Sequence, residues 1–138
     1  MAVHCGGILF IAESLIGRRG EIERRAGAVQ SAFLLTKIFG YLMLLHIAEN
    51  CIWAAFYYGL GLFGNYETAL YFSLGTYTTI GYGDVLLPQR WRLVGSLEGI
   101  SGVLLCGLST AFLFAVVNAL FQFRISPMNQ ETDLPGSP

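Results

Sequence analysis

Three apolar tracts, separated by short polar stretches, organise the 138-residue chain. They cover Cys5 to Gly17, about 32–63 and about 93–123. A transmembrane helix needs roughly 17 to 25 consecutive apolar residues, so the second and third tracts are each long enough to cross a bilayer. The pattern predicts an all-α membrane protein with two spanning helices.

The first tract is too short for a full span, and Glu13 interrupts it. It has neither the positive start nor the small-residue cleavage site of a signal peptide. It is predicted to be an N-terminal helix that is truncated, partly inserted or lying at the membrane interface.

The stretch between the two spans, "GNYETALYFSLGTYTTIGYGDVLLPQRW", is too apolar for a free loop and too short to cross the membrane. Asn65 is a suitable helix cap, and Glu67 stands in the first turn, where the helix dipole favours an acid. A half-span helix is therefore predicted, followed by extended backbone through "TTIGYGD", Thr78 to Asp84. Non-helical backbone at membrane depth is tolerated where it is buried in protein or lines a water-filled cavity. The segment is expected to face a pore.

Composition agrees with a membrane protein, since 54% of residues are hydrophobic and 12% are charged. The net charge of −1 and the lack of a long basic cluster argue against a nucleic-acid partner. The three cysteines lack the close spacing of a metal site or disulfide framework, and buried thiols are expected.

Basic residues are concentrated on one side of the predicted spans. Those before the second tract and after the third are Arg18, Arg19, Arg24, Arg25, Lys37 and Arg124, against Arg90 and Arg92 between the spans. The positive-inside rule therefore predicts that the half-span loop is extracellular and that the two ends of the pore domain face the cytoplasm.

From about Leu62 to Phe114 the chain resembles the pore module of the potassium-channel superfamily, on the strength of "TTIGYGD" standing after "ALYFSLGTYT" between two spans. The resemblance implies a homotetramer in the cell membrane, with lipids, K+ and further copies of itself as partners and no organic cofactor or enzymatic activity. The assigned segments are the N-terminal apolar helix and basic cytoplasmic loop 1–30, outer helix 31–63, pore helix 65–78, filter 79–83, inner helix 92–123 and a disordered tail 124–138.

Rings of inward-pointing backbone carbonyls replace the water that K+ must shed. Successive carbonyls point the same way when alternate residues take left-handed dihedrals, which cost little at Gly81 and Gly83. By resemblance, the K+ sites are formed by Thr79, Ile80, Gly81 and Tyr82, with Gly83 completing the filter. Thr78 and Asp84 are expected to support it, and Tyr82 to pack outward.

The inner helix carries Gly102 where the resemblance implies a hinge, although small residues in membranes also serve close packing. For Gly99 and Gly107 packing is the favoured interpretation. The resemblance further implies that Val103, Cys106 and Thr110 line the cavity below the filter.

Glu98 is a carboxyl within the third apolar tract, where it needs a donor or must stay protonated. Some members of the superfamily have a glutamate in the pore helix where this chain has Gly75. We hypothesise that Glu98 supports the filter from behind, through Thr76 or Thr78. The alternative is a carboxyl bonded to a neighbouring helix without a role in permeation.

His46, Glu49 and Asn50 share one face of the outer helix because they are three and four residues apart. Three interpretations are open: a proton-sensitive contact between helices, a metal site completed by other ligands, or a neutral hydrogen-bonded cluster joined to Ser101 or Ser109.

No voltage-sensing arginine repeat and no ligand-binding domain are expected in this sequence. Two functional alternatives to a potassium channel are a non-selective cation channel and a non-conducting membrane assembly subunit.

Overall fold

The structure, a computed structural model, describes residues 1–18, 20 and 27–132, with side chains described for these except 28 and 123–132. The described residues form four α-helices and one single-turn 3-10 helix, with no strand among them. The prediction of an all-helical fold is confirmed. The elements are α1 (Ala2–Gly17), α2 (Ala28–Gly59), α3 (Tyr66–Tyr77), the 3-10 helix (Gln89–Trp91) and α4 (Arg92–Thr132).

Two helical segments are long and apolar enough to cross a membrane: Val29–Gly59 of α2, and Gln89–Gln122, which joins the 3-10 helix to most of α4. At about 1.5 Å per residue, the 32 residues of α2 extend about 48 Å, which exceeds the ~30 Å hydrocarbon core. α3 lies between α2 and α4 and packs on both. Its contact with α2 is built on the buried residues Ala54, Tyr57 and Ala69, and Leu87, from the segment that follows TTIGYGD, belongs to the same core.

α2 ends at Gly59, short of the predicted end of the outer helix at residue 63. Gly61 takes a left-handed φ of 67°, and its amide donates to the carbonyl of Tyr58. The Leu62 amide donates to the carbonyl of Tyr57. This pair of bonds is the Schellman arrangement, in which a glycine ends a helix. The predicted helix ran too far because the residues after Gly59 are also apolar.

α3 lies within the predicted range 65–78, and it begins directly after the predicted cap residue, Asn65. The Asn65 side chain accepts a 2.8 Å hydrogen bond from the Thr68 amide. Glu67 stands in the first turn.

α4 continues to Thr132, beyond the predicted end at 123 and through Pro127. The prediction of a disordered tail is therefore wrong for residues 124–132, because a proline removes one backbone bond and kinks a helix without having to end it. The rest of the predicted tail, 133–138, lies outside the described residues, as do Arg19, Arg24 and Arg25 of the basic loop.

α1 packs antiparallel to α2 and covers one half of it. The amine of Met1 lies beside Glu49 in the middle of α2, whereas Arg18 lies beside Gln30 near its start. Between these ends, Ile8 and Ile11 share an apolar core with residues of α2, and α4 packs against the same core. The first apolar tract thus forms a helix, α1, that packs along part of α2.

The cysteines are free thiols, and none of the three is buried as expected. Cys5 and Cys106 are exposed on the chain, while Cys51 is intermediate. The apolar surroundings in sequence did not indicate which face of each helix packs.

Candidate functional site: the TTIGYGD segment and the helices behind it

The TTIGYGD segment has an alternating backbone. Thr79, Gly81 and Gly83 take positive φ values of 61°, 54° and 79°, with Ile80 and Tyr82 between them. Left-handed dihedrals were predicted at the two glycines, whereas the one at Thr79 was missed because a threonine disfavours this region. Alternation of this kind turns successive carbonyls toward one side of the chain.

The segment is tied to the C-terminal end of α3 by backbone hydrogen bonds. The amide of Thr78 donates to the carbonyl of Leu74, that of Thr79 to Thr76, and that of Gly81 to Gly75 at 2.9 Å. These bonds satisfy helix-end carbonyls that would otherwise lack partners. The left-handed conformation of Thr79 is therefore held by its own bond and by the bonds of Thr78 before it and Gly81 after it.

Tyr71 of α3 supports the outer part of the segment. Its ring stacks on Tyr82 with centroids 6.1 Å apart and planes 10° from parallel, and its hydroxyl donates a 2.8 Å bond to Asp84. That bond to the carboxylate raises the pKa of Tyr71. The other Asp84 oxygen accepts from the Val85 amide at 3.0 Å. The partner of Asp84 is thus a tyrosine, which sequence reasoning missed among the aromatic residues of the half-span.

Gly75 faces a cavity of about 130 Å³ behind the segment, with Gly81 and Tyr82 on its wall. A Cβ built on Gly75 meets nothing within 4 Å among the described residues. The position that holds an acid in some members of the superfamily is therefore open space here.

Glu98 joins three helices. Its side chain is completely buried, with one carboxyl oxygen 2.5 Å from the Ser73 hydroxyl of α3 and the other accepting a 2.7 Å bond from Tyr57 of α2. The predicted partners, Thr76 and Thr78, are wrong. The Thr78 hydroxyl instead donates to the carbonyl of Leu74, one turn earlier in its own helix. Glu98 thus contacts the helix that carries the segment and has no bond to the segment itself.

His46 lies at a junction of α2, α3 and α4. One ring nitrogen is 2.9 Å from the Tyr77 hydroxyl at the end of α3, and the other is 3.1 Å from the Ser109 hydroxyl of α4. Ser109 is one of the two partners predicted for His46 if the group is a neutral hydrogen-bonded cluster. The other, Ser101, donates to the carbonyl of Glu98 instead.

His4 of α1 completes this junction. Its Nε2 lies 2.8 Å from the same Ser109 hydroxyl, and its ring centroid lies 4.5 Å from that of His46. Sequence reasoning missed His4 because nothing in the short first tract indicates that it folds back along α2. The two histidines and Ser109 link α1 to the end of α3 through Tyr77.

Glu49 and Asn50 face different partners although they neighbour His46. One Glu49 oxygen accepts from the Met1 amine at 2.9 Å and from the His4 amide at 3.3 Å. The Asn50 side-chain amide donates to the His46 carbonyl at 2.8 Å. Within the described part of the chain, no group of three or more potential metal ligands comes together.

A family model described as "Ion channel" matches residues 32–119, a range that contains most of α2, all of α3, the TTIGYGD segment and α4 as far as Ala119. The chain belongs to this ion-channel family. The calcium-gated potassium channel TvoK of Thermoplasma volcanium is 45% identical over 62 residues, which are 44% of this chain and 17% of that protein. The chain therefore matches a small part of that relative's length. No solved structure gives a significant match.

In this ion channel glycines of α4 lie against the last turn of α3. A Cβ built on Gly102 would lie 2.1 Å from the Tyr77 carbonyl oxygen, and one on Gly99 would lie 3.3 Å from the Thr76 carbonyl oxygen. Close approach accounts for both glycines without a hinge. Gly107, for which packing was also expected, meets nothing within 4 Å among the described residues.

The face of α4 next to these glycines is exposed on the single chain. Val103, Cys106 and Thr110, the residues implied to line a cavity, are all exposed there. Leu105 and Ser109 point the other way and are buried. The implied cavity-lining residues therefore share the face that the chain's own helices leave free.

Proposed function

We propose that this ion channel is a passive, potassium-selective pore of the cell membrane, built by four copies of the chain. The observation that carries the proposal is the alternation of left-handed residues at Thr79, Gly81 and Gly83, in a segment anchored to a half-span helix between two spans. In a bilayer, such backbone must line a water-filled cavity or be buried in protein.

The proposed K+ sites are the backbone carbonyls of Thr79, Ile80, Gly81 and Tyr82, with Gly83 completing the filter. Rings of carbonyls replace the hydration shell of the ion, which is how backbone geometry confers potassium selectivity. The similarity to a potassium channel over 62 residues supports K+ as the permeant ion. The calcium gating in that relative's name is not carried over, because the match covers 17% of its length.

The proposed tetramer follows from what one chain leaves incomplete. One copy supplies one filter segment, and a ring of carbonyls needs several copies around an axis. Ile80 and Tyr82 are 58% and 69% exposed on the single chain. The exposed face of α4 with Val103, Cys106 and Thr110 would line the shared cavity below the filter.

Glu98 is proposed to support the filter indirectly. By holding Ser73 and Tyr57 at once, it fixes α3 against α2 and α4, and α3 in turn holds Thr78 and Thr79 through its last carbonyls. Asp84 is proposed to be held by Tyr71 at the outer mouth.

The deciding experiment is ion flux through the purified chain reconstituted in liposomes. We expect K+ flux that Ba2+ blocks and Na+ does not replace. Equal Na+ and K+ fluxes would identify a non-selective cation channel, and absence of flux from a folded oligomer would identify a non-conducting subunit.

Two glycine variants connect the flux to the filter backbone. Both Gly81 and Gly75 have free space around an added Cβ, but only Gly81 has a positive φ. An alanine in the left-handed region costs about 1–2 kcal/mol. Gly81→Ala is therefore expected to abolish selective K+ flux, whereas Gly75→Ala keeps it. Equal flux in both variants would contradict the assignment of the filter.

The oligomeric state is tested separately by the mass of the protein in detergent. A tetramer is expected. A monomer or dimer that still conducts K+ would overturn the four-fold pore.

A further inference from the structure

A cavity of about 440 Å³ opens between the C-terminal half of α1 and the N-terminal half of α2. Its apolar wall includes Phe10, Ile11 and Ile38, and Leu120 of α4 reaches it from the third side. The volume falls within the range of ordinary ligand sites. It lies away from the filter, at the end of the bundle where the basic residues of the sequence cluster.

Two cations stand at this cavity. Arg18 follows the last residue of α1, and Lys37 lies on α2. The Lys37 ammonium is 4.6 Å from the centroid of the Phe33 ring, one turn closer to the start of α2. A lysine stem that runs along its helix in this way brings its charge toward the membrane boundary. The charge of Lys37 therefore lies toward the level of Gln30 and Ser31, which line the same end of the cavity.

Among the described residues, no carboxylate stands beside these two cations. The side chains that line the cavity include no aspartate or glutamate, and within the described residues neither Arg18 nor Lys37 forms an ion pair. Charged groups at membrane depth are costly unless they find a partner. Within the part of the chain that the structure describes, the cavity therefore presents positive charge without a paired carboxylate at one end and apolar surface along the other.

We propose that this cavity binds an anionic phospholipid, with the phosphate between Arg18 and Lys37 and an acyl chain along the apolar wall. A lipid fits better than free phosphate because the wall continues onto outward-facing Phe10 and Phe33, which are 66% and 62% exposed. The positive-inside rule places the basic end at the cytoplasmic leaflet, which carries the anionic lipids. The bound lipid joins α1 to α2 in the half of the bundle that α1 covers.

The proposal is tested on the full chain, purified in detergent and titrated with phosphatidylglycerol or phosphatidylcholine, with bound lipid counted by native mass spectrometry. We expect preferential retention of phosphatidylglycerol. Each basic residue near a membrane contributes about 1 kcal/mol to the attraction, which corresponds to about a fivefold change in affinity. Lys37→Gln and Arg18→Gln should each weaken phosphatidylglycerol binding about fivefold, while Lys37→Arg should retain it.

Arg90→Gln is the matched control, since it removes one exposed positive charge between the two spans. It is expected to leave lipid binding unchanged. Equal loss in Arg90→Gln and Lys37→Gln would overturn the site in favour of diffuse attraction, as would equal binding of phosphatidylcholine. Full competition by inorganic phosphate would overturn the lipid as occupant. No retained lipid in any variant would indicate that another copy of the chain fills the cavity, and would also overturn the proposal.

Discussion

The hydroxyl of Ser73 on the half-span helix lies 2.5 Å from a carboxyl oxygen of Glu98 on the following long helix. Both side chains are completely buried, and Tyr57 completes the contact from α2 at 2.7 Å. Three helices thus meet at one carboxyl group behind the proposed filter. The buried acid here comes from α4, whereas some members of the superfamily have a glutamate on the half-span helix, at the position of Gly75.

Glu98→Ala is expected to destabilise the assembled channel, because it leaves the hydroxyls of Ser73 and Tyr57 buried without this acceptor. The cost is about 1 kcal/mol for each hydroxyl. Glu98→Gln keeps an acceptor and should lose less stability, while altering selectivity or inactivation. Thermal melting of the oligomer and currents in planar bilayers measure the two effects.

Glu13→Ala removes an exposed carboxyl and serves as the control. Unchanged stability, selectivity and inactivation in both Glu98 variants would leave Glu98 without a supporting role.

Tyr71→Phe keeps the ring stacked on Tyr82 but removes the hydroxyl that donates to Asp84. We expect folded protein whose K+ current decays faster or is less selective, because the outer end of the filter loses a fixed contact. Tyr58→Phe is a matched control, since Tyr58 is 48% exposed and lies on α2, away from the filter. The decay and ion selectivity of the currents are compared between the two variants. Identical currents would contradict a role for the bond from Tyr71 to Asp84.

Gly102→Ala is expected to cost about 1–3 kcal/mol, the usual penalty for overpacking. The added methyl would overlap the Tyr77 carbonyl, so α4 must move away from α3. Gly107→Ala has free space and should be neutral or slightly stabilising. The melting temperatures of the two variants measure the difference. Equal melting temperatures would show that the close approach at Gly102 is not maintained in the membrane.

Acid is expected to weaken the packing of α1. Burial lowers the pKa of His4 below its usual 6.5, helped by His46 and opposed by Glu49, so His4 is neutral in the folded bundle at pH 7. The unfolded chain therefore binds more protons as the pH falls below about 6.5, and stability is lost on acidification. Melting temperature measured from pH 8 to pH 5 should fall in the wild type and fall less in His4→Gln. Parallel curves would contradict a neutral buried His4.

The proton-sensor hypothesis for His46 makes a separate prediction about current. If protonation at the His4, His46 and Ser109 junction is transmitted through Tyr77, the K+ current should depend on pH in the wild type and become flat in His46→Ala. A flat profile in both proteins would dismiss the sensor and leave a structural cluster.

Sequence alone predicted those parts of the fold that follow from local patterns. The two spans follow from apolar length, and the start of α3 follows from the side chain of Asn65, whose bond to Thr68 is made within the same turn. The left-handed glycines of the filter also follow, because their conformation is a property of residue type.

The parts that could not be predicted depend on which helix faces meet. The Glu98 partners come from two other helices, and the His4 contact spans 105 residues to Ser109. No local pattern distinguishes Ser73 from Thr76 as the partner of Glu98, because the choice depends on which face of α3 is turned toward α4. The positive φ at Thr79 is likewise imposed by the bonds on either side of it, against the preference of the residue.

The contact between Gly102 and the Tyr77 carbonyl has a mechanical consequence. It fixes a point where the long α4 helix touches the last turn of α3, so bending α4 at that point would pull on the TTIGYGD backbone that follows. A bend farther down, at Gly107, where an added Cβ would touch nothing, would leave that point at rest. The upper half of α4 is therefore clamped to the last turn of α3, while its lower half is held separately, by Phe112, Leu113 and Val116 packed on the core that α1 and α2 form.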